Sequence, residues 1–178
     1  MSAPAIPPEG TPPTSLQRIS WMPLTPAAQR VSDALRLKGY AGQVLELAVS
    51  TRSAADAARA VGCDVARIVK SLIFRGAASG EAILVLTSGA NRVDEAALGD
   101  RLGERLERAD AEFVREHTGF AIGGVPPLGH PGPLKTIIDR DLMSHATIWA
   151  AAGTPSAVFE ITPLDLARLT GGEILQVT

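Results

Sequence analysis

Two features of this 178-residue chain are equipped for chemistry. Lys70 interrupts the apolar run ARIVKSLIF, between Ile68–Val69 and Leu72–Phe74. Such a lysine admits two readings. In one it lies at a strand edge, its stem packed and its ammonium in water. In the other it sits on the floor of a cleft, where a cation binds a phosphate or stabilises a developing oxyanion. The second feature is GFAIGGVPPLGH, residues 119–130. Gly123 and Gly124 permit backbone conformations closed to other residues and let a ligand approach the main chain. Pro126 and Pro127 donate no hydrogen bond but stiffen the loop, which fixes the N–H directions of neighbours such as Gly124 and Val125. That arrangement suits an oxyanion hole or a carbonyl clamp; an ordinary turn between two strands fits the same residues. WAAAGTP, with Gly153 and Pro155, repeats the theme more weakly and by itself reads as a plain turn.

Other chemistries find no support. There is no G-x-x-x-x-G-K-[ST] loop, no G-x-G-x-x-G opening a helix and no G-x-S-x-G elbow. His117, His130 and His145 are scattered without zinc-ligand spacing, and only His130, which closes the glycine-proline loop, stands apart. Ser71 and Ser88 have no evident histidine partner. Cys63 is the single cysteine and reads as packing, so neither a disulfide nor a cysteine-based metal site can form within the chain. No metal and no cofactor are expected. With a net charge of −2 and no block of like charge, the chain lacks the basic field needed to wrap long nucleic acid, DNA included. At 4% aromatics it also lacks stacking platforms for single strands. Brief contact with the end of an RNA remains compatible. No apolar run is long enough to span a membrane and the N-terminus has no signal-peptide pattern. A reduced, cytoplasmic setting is expected.

The elements that position these residues can be read in order. MSAPAIPPEGTPPTSLQRISWMPLTP is Pro-, Ser- and Thr-rich, so residues 1–25 form a flexible N-terminal segment, with Trp21 and Leu24 able to dock its end. Residues 26–178 form a single domain, and at 46% apolar residues overall the chain suits a globular fold. TPAAQRVSDALRLKGY predicts a helix capped by Thr25, opened by Pro26 and ended by Gly39. QVLELAV predicts a strand, and SAADAARAVG a helix with Ser53 and Asp56 as a capping box and Gly62 as its end. ARIVKSLIF and AILVLT, joined by RGAASGE, predict a hairpin. Helices follow at RVDEAALGDRLG, DAEFVREHTG and TPLDLARLTGG, and strands at RLERA, KTIIDRDLM, ATIWAAAG, SAVFEIT and EILQVT. Strands outnumber helices without strict alternation, which favours a mixed sheet or partly closed barrel over a doubly wound parallel sheet.

SAADAARAVGCDVARIVKSLIFRG, GFAIGGVPPLGH, TIID and WAAAGTPSAVFEITPLDLARLTGG, in this order and at these spacings, resemble the YbaK/EbsC family. That family includes free-standing relatives of the editing domain inserted in bacterial prolyl-tRNA synthetase. Each segment alone is a weak signal and the ordered set is specific. The resemblance runs from about Val31 to Thr178 and leaves out the Pro-rich segment. It implies a compact α/β (α+β) fold with a mixed, highly curved sheet. It also implies hydrolysis of the ester joining a wrong amino acid to the 3′ end of a tRNA, often the tRNA for proline. The family's motif lysine falls on Lys70, its glycine-proline loop on Gly123 through Gly129, and its later loop glycine on Gly153. The implied catalytic set is Lys70, Gly123, Gly124 and Gly153. The implied substrate contacts are Val125, Pro126, Pro127, Leu128, Gly129, His130 and Asp139; a turn cap or surface carboxylate fits Asp139 equally. AAGTP lacks the histidine that alanine-removing branches usually carry in the later loop, so the chain resembles the YbaK branch more closely.

An aminoacyl ester is already activated, so its hydrolysis requires neither a metal nor a covalent nucleophile. The site must orient a water and stabilise the tetrahedral oxyanion, for which one donor supplies ~3 kcal/mol. Backbone amides around Gly123, Gly124 and Gly153 are candidates. Lys70 is expected to hold the terminal adenosine's phosphate, with the ester carbonyl as the other option; a lysine is charged at neutral pH unless strongly desolvated. The water's proton has three candidate acceptors on the substrate: its amino group, its 2′/3′ hydroxyl or a thiol side chain. A small pocket, with Ile68, Leu72, Leu128 and Ile138 as candidate walls, would refuse proline while admitting Cys, Ala, Ser or 2-aminobutyrate. The expected partners are the aminoacyl-tRNA acceptor end and prolyl-tRNA synthetase. A non-catalytic tRNA- or synthetase-binding module of the same fold is the alternative, and a small-molecule binding protein a third reading.

Overall fold

The computed structural model describes residues 23–178, so the Pro-rich segment and Trp21 lie outside the described residues apart from its last positions. Leu24 packs against the core. Helix α1 spans Pro26–Leu37: the Thr25 side chain accepts from the Ala28 N–H, and Ala28, Val31 and Leu35 form its buried face. Leu37 stands fully out in solvent. Strand β1 is only Val44–Glu46, shorter than the apolar pattern predicts. Helix α2 (Ala54–Val61) has the expected Ser53 cap and ends on Gly62 in the left-handed region. A 3-10 turn at Val65–Arg67 precedes strand β2 (Val69–Gly76), which hairpins into β3 (Ala82–Ser88).

Helix α3 (Glu95–Leu102), strand β4 (Leu106–Arg108) and helix α4 (Ala111–Thr118) follow, the helices capped by Asp94 and Asp110. Strand β5 runs Lys135–Asp139. The strand expected through Met143 stops there, because the Asp139 carboxylate turns inward and caps a 3-10 turn at Arg140–Ser144. Strands β6 (Ile148–Ala151) and β7 (Ala157–Ile161), helix α5 (Pro163–Thr170) and strand β8 (Glu173–Leu175) complete the chain.

The strands form two open sheets, ordered β1-β7-β6 and β4-β2-β3-β5-β8. The larger is mixed: β2 pairs antiparallel with β3 and β4, while β3–β5 and β5–β8 are parallel. Among the described residues, one parallel bridge, Ile68 to Trp149, joins the two sheets. The architecture is therefore the expected mixed α/β fold, with neither sheet closed into a barrel. Strand β3 shows no alternation because apolar clusters cover both its faces. Leu84 and Leu86 pack toward α1, and Ile83 and Val85 toward Leu98 of α3.

Candidate active site

Lys70 is the second residue of β2. One edge of β2 is occupied by β3 throughout. The other is covered by β4 only over Phe74–Gly76 and tied to Trp149 only at Ile68. Between those points no strand pairs with that edge among the described residues. A cleft of about 600 Å³ opens beside this bare stretch. Its borders are the N-terminal turn of α2 from Thr51 to Ala55, the loop tip at Ile122–Val125, and the β6–β7 connection at Thr154–Pro155.

Lys70 is half-buried and its Nζ donates to the Asn91 carbonyl oxygen. The Asn91 side-chain amide donates in turn to Asp139 Oδ2 at 2.9 Å and Asp141 Oδ2 at 2.7 Å. Asp139 is fully buried; the same oxygen accepts from Thr87 Oγ1 and the Ser88 N–H, each at 3.0 Å, and Oδ1 from the Asp141 N–H at 3.0 Å. A buried carboxylate thus pins the loop whose carbonyl holds the ammonium. Burial pushes the Lys70 pKa below the ordinary lysine value, with the Asp139 charge opposing that shift.

The two glycine-bearing loops interlock. Gly124 is buried and donates its N–H to the Ala121 carbonyl at 3.0 Å, while its own carbonyl accepts the Gly153 N–H at 2.8 Å. A Cβ on Gly124 would stand 2.7 Å from the Gly153 oxygen and 2.7 Å from Thr154 Cα. Gly153 has φ +100°, and a Cβ there would meet the Ala27 carbonyl oxygen of α1 at 2.8 Å. Backbone therefore packs on backbone, as only glycine allows. This corrects one expectation: the Gly124 amide is taken up within its own loop and the Gly153 amide in holding the two loops together, so neither is available to a ligand. The Gly123 and Val125 N–H groups have no acceptor among the described residues, and both residues line the cleft.

The other expected contacts divide. Ile68 and Leu72 line the cleft. Leu128 and Ile138 belong to the main core. Pro126, Pro127, Gly129, His130 and Asp139 do not line the cleft. The two prolines are buried behind the loop tip, and Gly129 lies against Ala34 of α1. His130 Nε2 meets the Pro126 carbonyl at 2.8 Å; that oxygen only accepts, so Nε2 carries the proton. Burial lowers the His130 pKa, the hydrogen bond opposing it, and the ring makes an edge contact with Phe120. Of the remaining side chains weighed from sequence, Cys63 packs beside Val61, and His117 stacks on Phe113. The sequence carries no signal that Asn91, Trp149 or the α2 N-terminus belongs to the site; SGANRVD shows only a turn composition around Asn91. Ser71 Oγ is also notable, being buried with no hydrogen-bond partner.

Comparison with known proteins gives consistent results. The family model for the aminoacyl-tRNA editing domain matches residues 48–169. A solved structure described as a candidate trans-editing enzyme for prolyl tRNA synthetase superposes with a TM-score of 0.83 at 48% identity, covering 88% of this chain and 99% of that one. An uncharacterized Bacillus subtilis protein, YwhH, is 29% identical over 131 residues, 74% of this chain and 83% of its own length. Enterococcus faecalis EbsC, named as a candidate Cys-tRNA(Pro)/Cys-tRNA(Cys) deacylase, is 25% identical over 127 residues, 71% of this chain and 77% of its own.

Proposed function

The chain belongs to the aminoacyl-tRNA editing domain family, and from that premise we propose that it is a trans-editing deacylase. It hydrolyses the ester of a misacylated tRNA, with tRNA(Pro) carrying a small wrong amino acid as its substrate. The observation that carries this reading is the composition of the cleft wall. Among the described residues its ionisable side chains are Lys70 and Arg52, both cationic, and they bring no carboxylate, imidazole or thiol to the wall. Such a site can bind an anionic RNA end and stabilise an oxyanion, but it offers no ordinary general base and no strong nucleophile. An aminoacyl ester is a substrate that tolerates this lack.

In this mechanism the Gly123 and Val125 N–H groups donate to the carbonyl oxygen as it becomes an oxyanion. Gly124, Gly153, Pro126 and Pro127 are positioning residues that fix those donors. A water oxygen attacks the ester carbon, and its proton passes to the substrate's unprotonated amino group, to a thiolate where the amino acid carries one, or through the vicinal hydroxyl, which hands on its own proton to the departing ribose oxygen as it takes the water's. The ester C–O bond breaks, the ribose oxygen is protonated, and the free amino acid departs. Lys70 holds the phosphate of the terminal adenosine. Refusal of proline is steric: the wall combines the small Ala54, Ala150 and Ala157 with the bulkier Ile68, Leu72 and Trp149, and the bulky side chains set the limit on what enters. No metal takes part. Prolyl-tRNA synthetase is the partner from which the mischarged tRNA is taken.

The test is direct. Purified protein is incubated with tRNA(Pro) charged with Cys, Ala, Ser or 2-aminobutyrate, with Pro as control, and free amino acid is followed with and without chelator. Hydrolysis of at least one small misacylated species, sparing of Pro-tRNA and indifference to chelator are expected. Binding of charged tRNA without turnover of any species would replace the enzyme by a non-catalytic module.

A further inference from the structure

A second cleft of about 300 Å³ adjoins the first. The two share Lys70, Ser71, Leu72, Ile122 and Val125, so they meet along the bare edge of β2 and under the loop tip. Both are cationic. The second cleft carries Lys70, Arg92 and Arg108 against one carboxylate, Glu95. Glu95 is already engaged, pairing with Arg108 at 3.0 Å. Arg92 is exposed and has no carboxylate or hydrogen-bond partner among the described residues. Its backbone is nevertheless fixed, because it follows Asn91, whose carbonyl receives the Lys70 ammonium and whose amide is held by Asp139 and Asp141. A net positive wall on a chain of net charge −2 is a local concentration of cations.

We propose that this second cleft binds the phosphodiester on the 5′ side of the terminal adenosine, with Arg92 as the second cation beside Lys70. The proposal rests on the deacylase reading, which places the aminoacyl ester in the larger cleft. From that ester, the next anionic group along the RNA is this phosphodiester, and the cation that lines the adjoining cleft with Lys70 and has no carboxylate partner among the described residues is Arg92. A guanidinium suits the role because it presents paired donors to two phosphate oxygens and keeps its charge at any working pH. Ile122, exposed at the junction of the two clefts, gives the nucleoside an apolar rim between its ester and its phosphate.

The test uses an RNA hairpin ending in single-stranded ACCA, uncharged, with either the natural last phosphodiester or a neutral methylphosphonate in its place. Binding to wild type and to Arg92→Ala is followed by fluorescence titration at several salt concentrations. Wild type should lose about tenfold in affinity when the linkage is neutralised. Arg92→Ala should bind the natural hairpin several-fold more weakly and lose clearly less than wild type does with the methylphosphonate, keeping only the share that Lys70 supplies. Its salt slope should fall by about 0.7, the share of one single-strand phosphate. Arg92→Lys should recover part of the affinity. Additive losses, or an unchanged affinity and salt slope for Arg92→Ala, would overturn the assignment. Steady-state deacylation supplies the second readout. Arg92→Ala should raise KM for charged tRNA with kcat within twofold, and leave hydrolysis of a phosphate-free aminoacyl-adenosine unchanged; equal loss on both substrates would count against the proposal. A wild-type protein that hydrolyses nothing would defeat the deacylase reading while leaving the binding cycle able to decide on Arg92.

Discussion

Gly124→Ala tests the interlocked loops most sharply. The added Cβ would lie 2.7 Å from both the Gly153 oxygen and Thr154 Cα, about 0.7 Å short of an ordinary 3.4 Å contact. Both obstacles are backbone, so no side chain can swing aside and the loops themselves must part by roughly that distance. Overpacking of this kind costs about 1–3 kcal/mol, or roughly 2–12 °C in Tm for a chain of this size. The catalytic effect should be larger. Oxyanion donors work within a window of about 2.7–3.1 Å. A shift of 0.7 Å at Gly124 moves the adjoining Gly123 and Val125 N–H groups out of that window together. Loss of about 10²-fold in kcat is expected, with KM nearly unchanged, because the apolar walls of the cleft are untouched. The assay is single-turnover deacylation of the best misacylated tRNA, alongside a thermal melt by circular dichroism. Gly132→Ala is the control in the same segment: nothing lies within 4 Å of its added Cβ, and both readouts should stay at wild type. A Gly124→Ala protein with lowered Tm and full kcat would show that these loops stabilise the fold without aligning the chemistry.

Three further outcomes follow from the site. Lys70→Ala should lower kcat/KM by at least 10²-fold with Tm within a few degrees of wild type, since the side chain is half-buried and donates a single hydrogen bond; full activity would remove the ammonium from the mechanism. Asp139→Ala strands the Thr87 hydroxyl, the Ser88 and Asp141 N–H groups and the Asn91 amide, and should cost about 3–5 kcal/mol in denaturant melts; a cost under about 1 kcal/mol would contradict the network described. His130 has its folded pKa below the ordinary 6.5, so the stability it contributes is full above that value and is lost as pH falls below it toward the depressed folded pKa. Wild type should therefore lose more Tm between pH 7 and pH 5 than His130→Gln does, and parallel pH profiles would refute the assignment.

Much of the fold was legible because its signals are local. Thr25, Ser53, Asp110 and Thr162 each cap the helix their spacing predicts, through contacts three residues away. The β2–β3 hairpin follows from two apolar runs and a polar turn. Strand ends were harder to place. KTIIDRDLM keeps a strand-like composition through Met143, yet Asp139 ends the strand by turning its carboxylate to partners 48 to 52 residues distant, and no local pattern carries that information. The site shows the same division. Lys70 and the glycine-proline loop stand out as breaks in apolar composition. Which amides are spent and which remain does not, because that depends on Gly153, 29 residues further along the chain, arriving with its N–H 2.8 Å from the Gly124 oxygen.

The same dependence explains why so much special backbone is gathered in one segment. The mechanism proposed takes its oxyanion donors from the main chain, and a main-chain donor is aimed only by fixing its neighbours. The Gly153 N–H is spent on the Gly124 carbonyl and the Gly124 N–H on the Ala121 carbonyl, the buried prolines stiffen the following turn, and His130 ties that turn back to the Pro126 carbonyl. On the opposite wall, Asp139 fixes Asn91, which fixes Lys70. Residues that never reach the cleft thus set the direction of those that do. Substitutions at Asp139 or His130 should accordingly alter activity through geometry, with losses that grow in step with the displacement of Lys70 or of the loop tip.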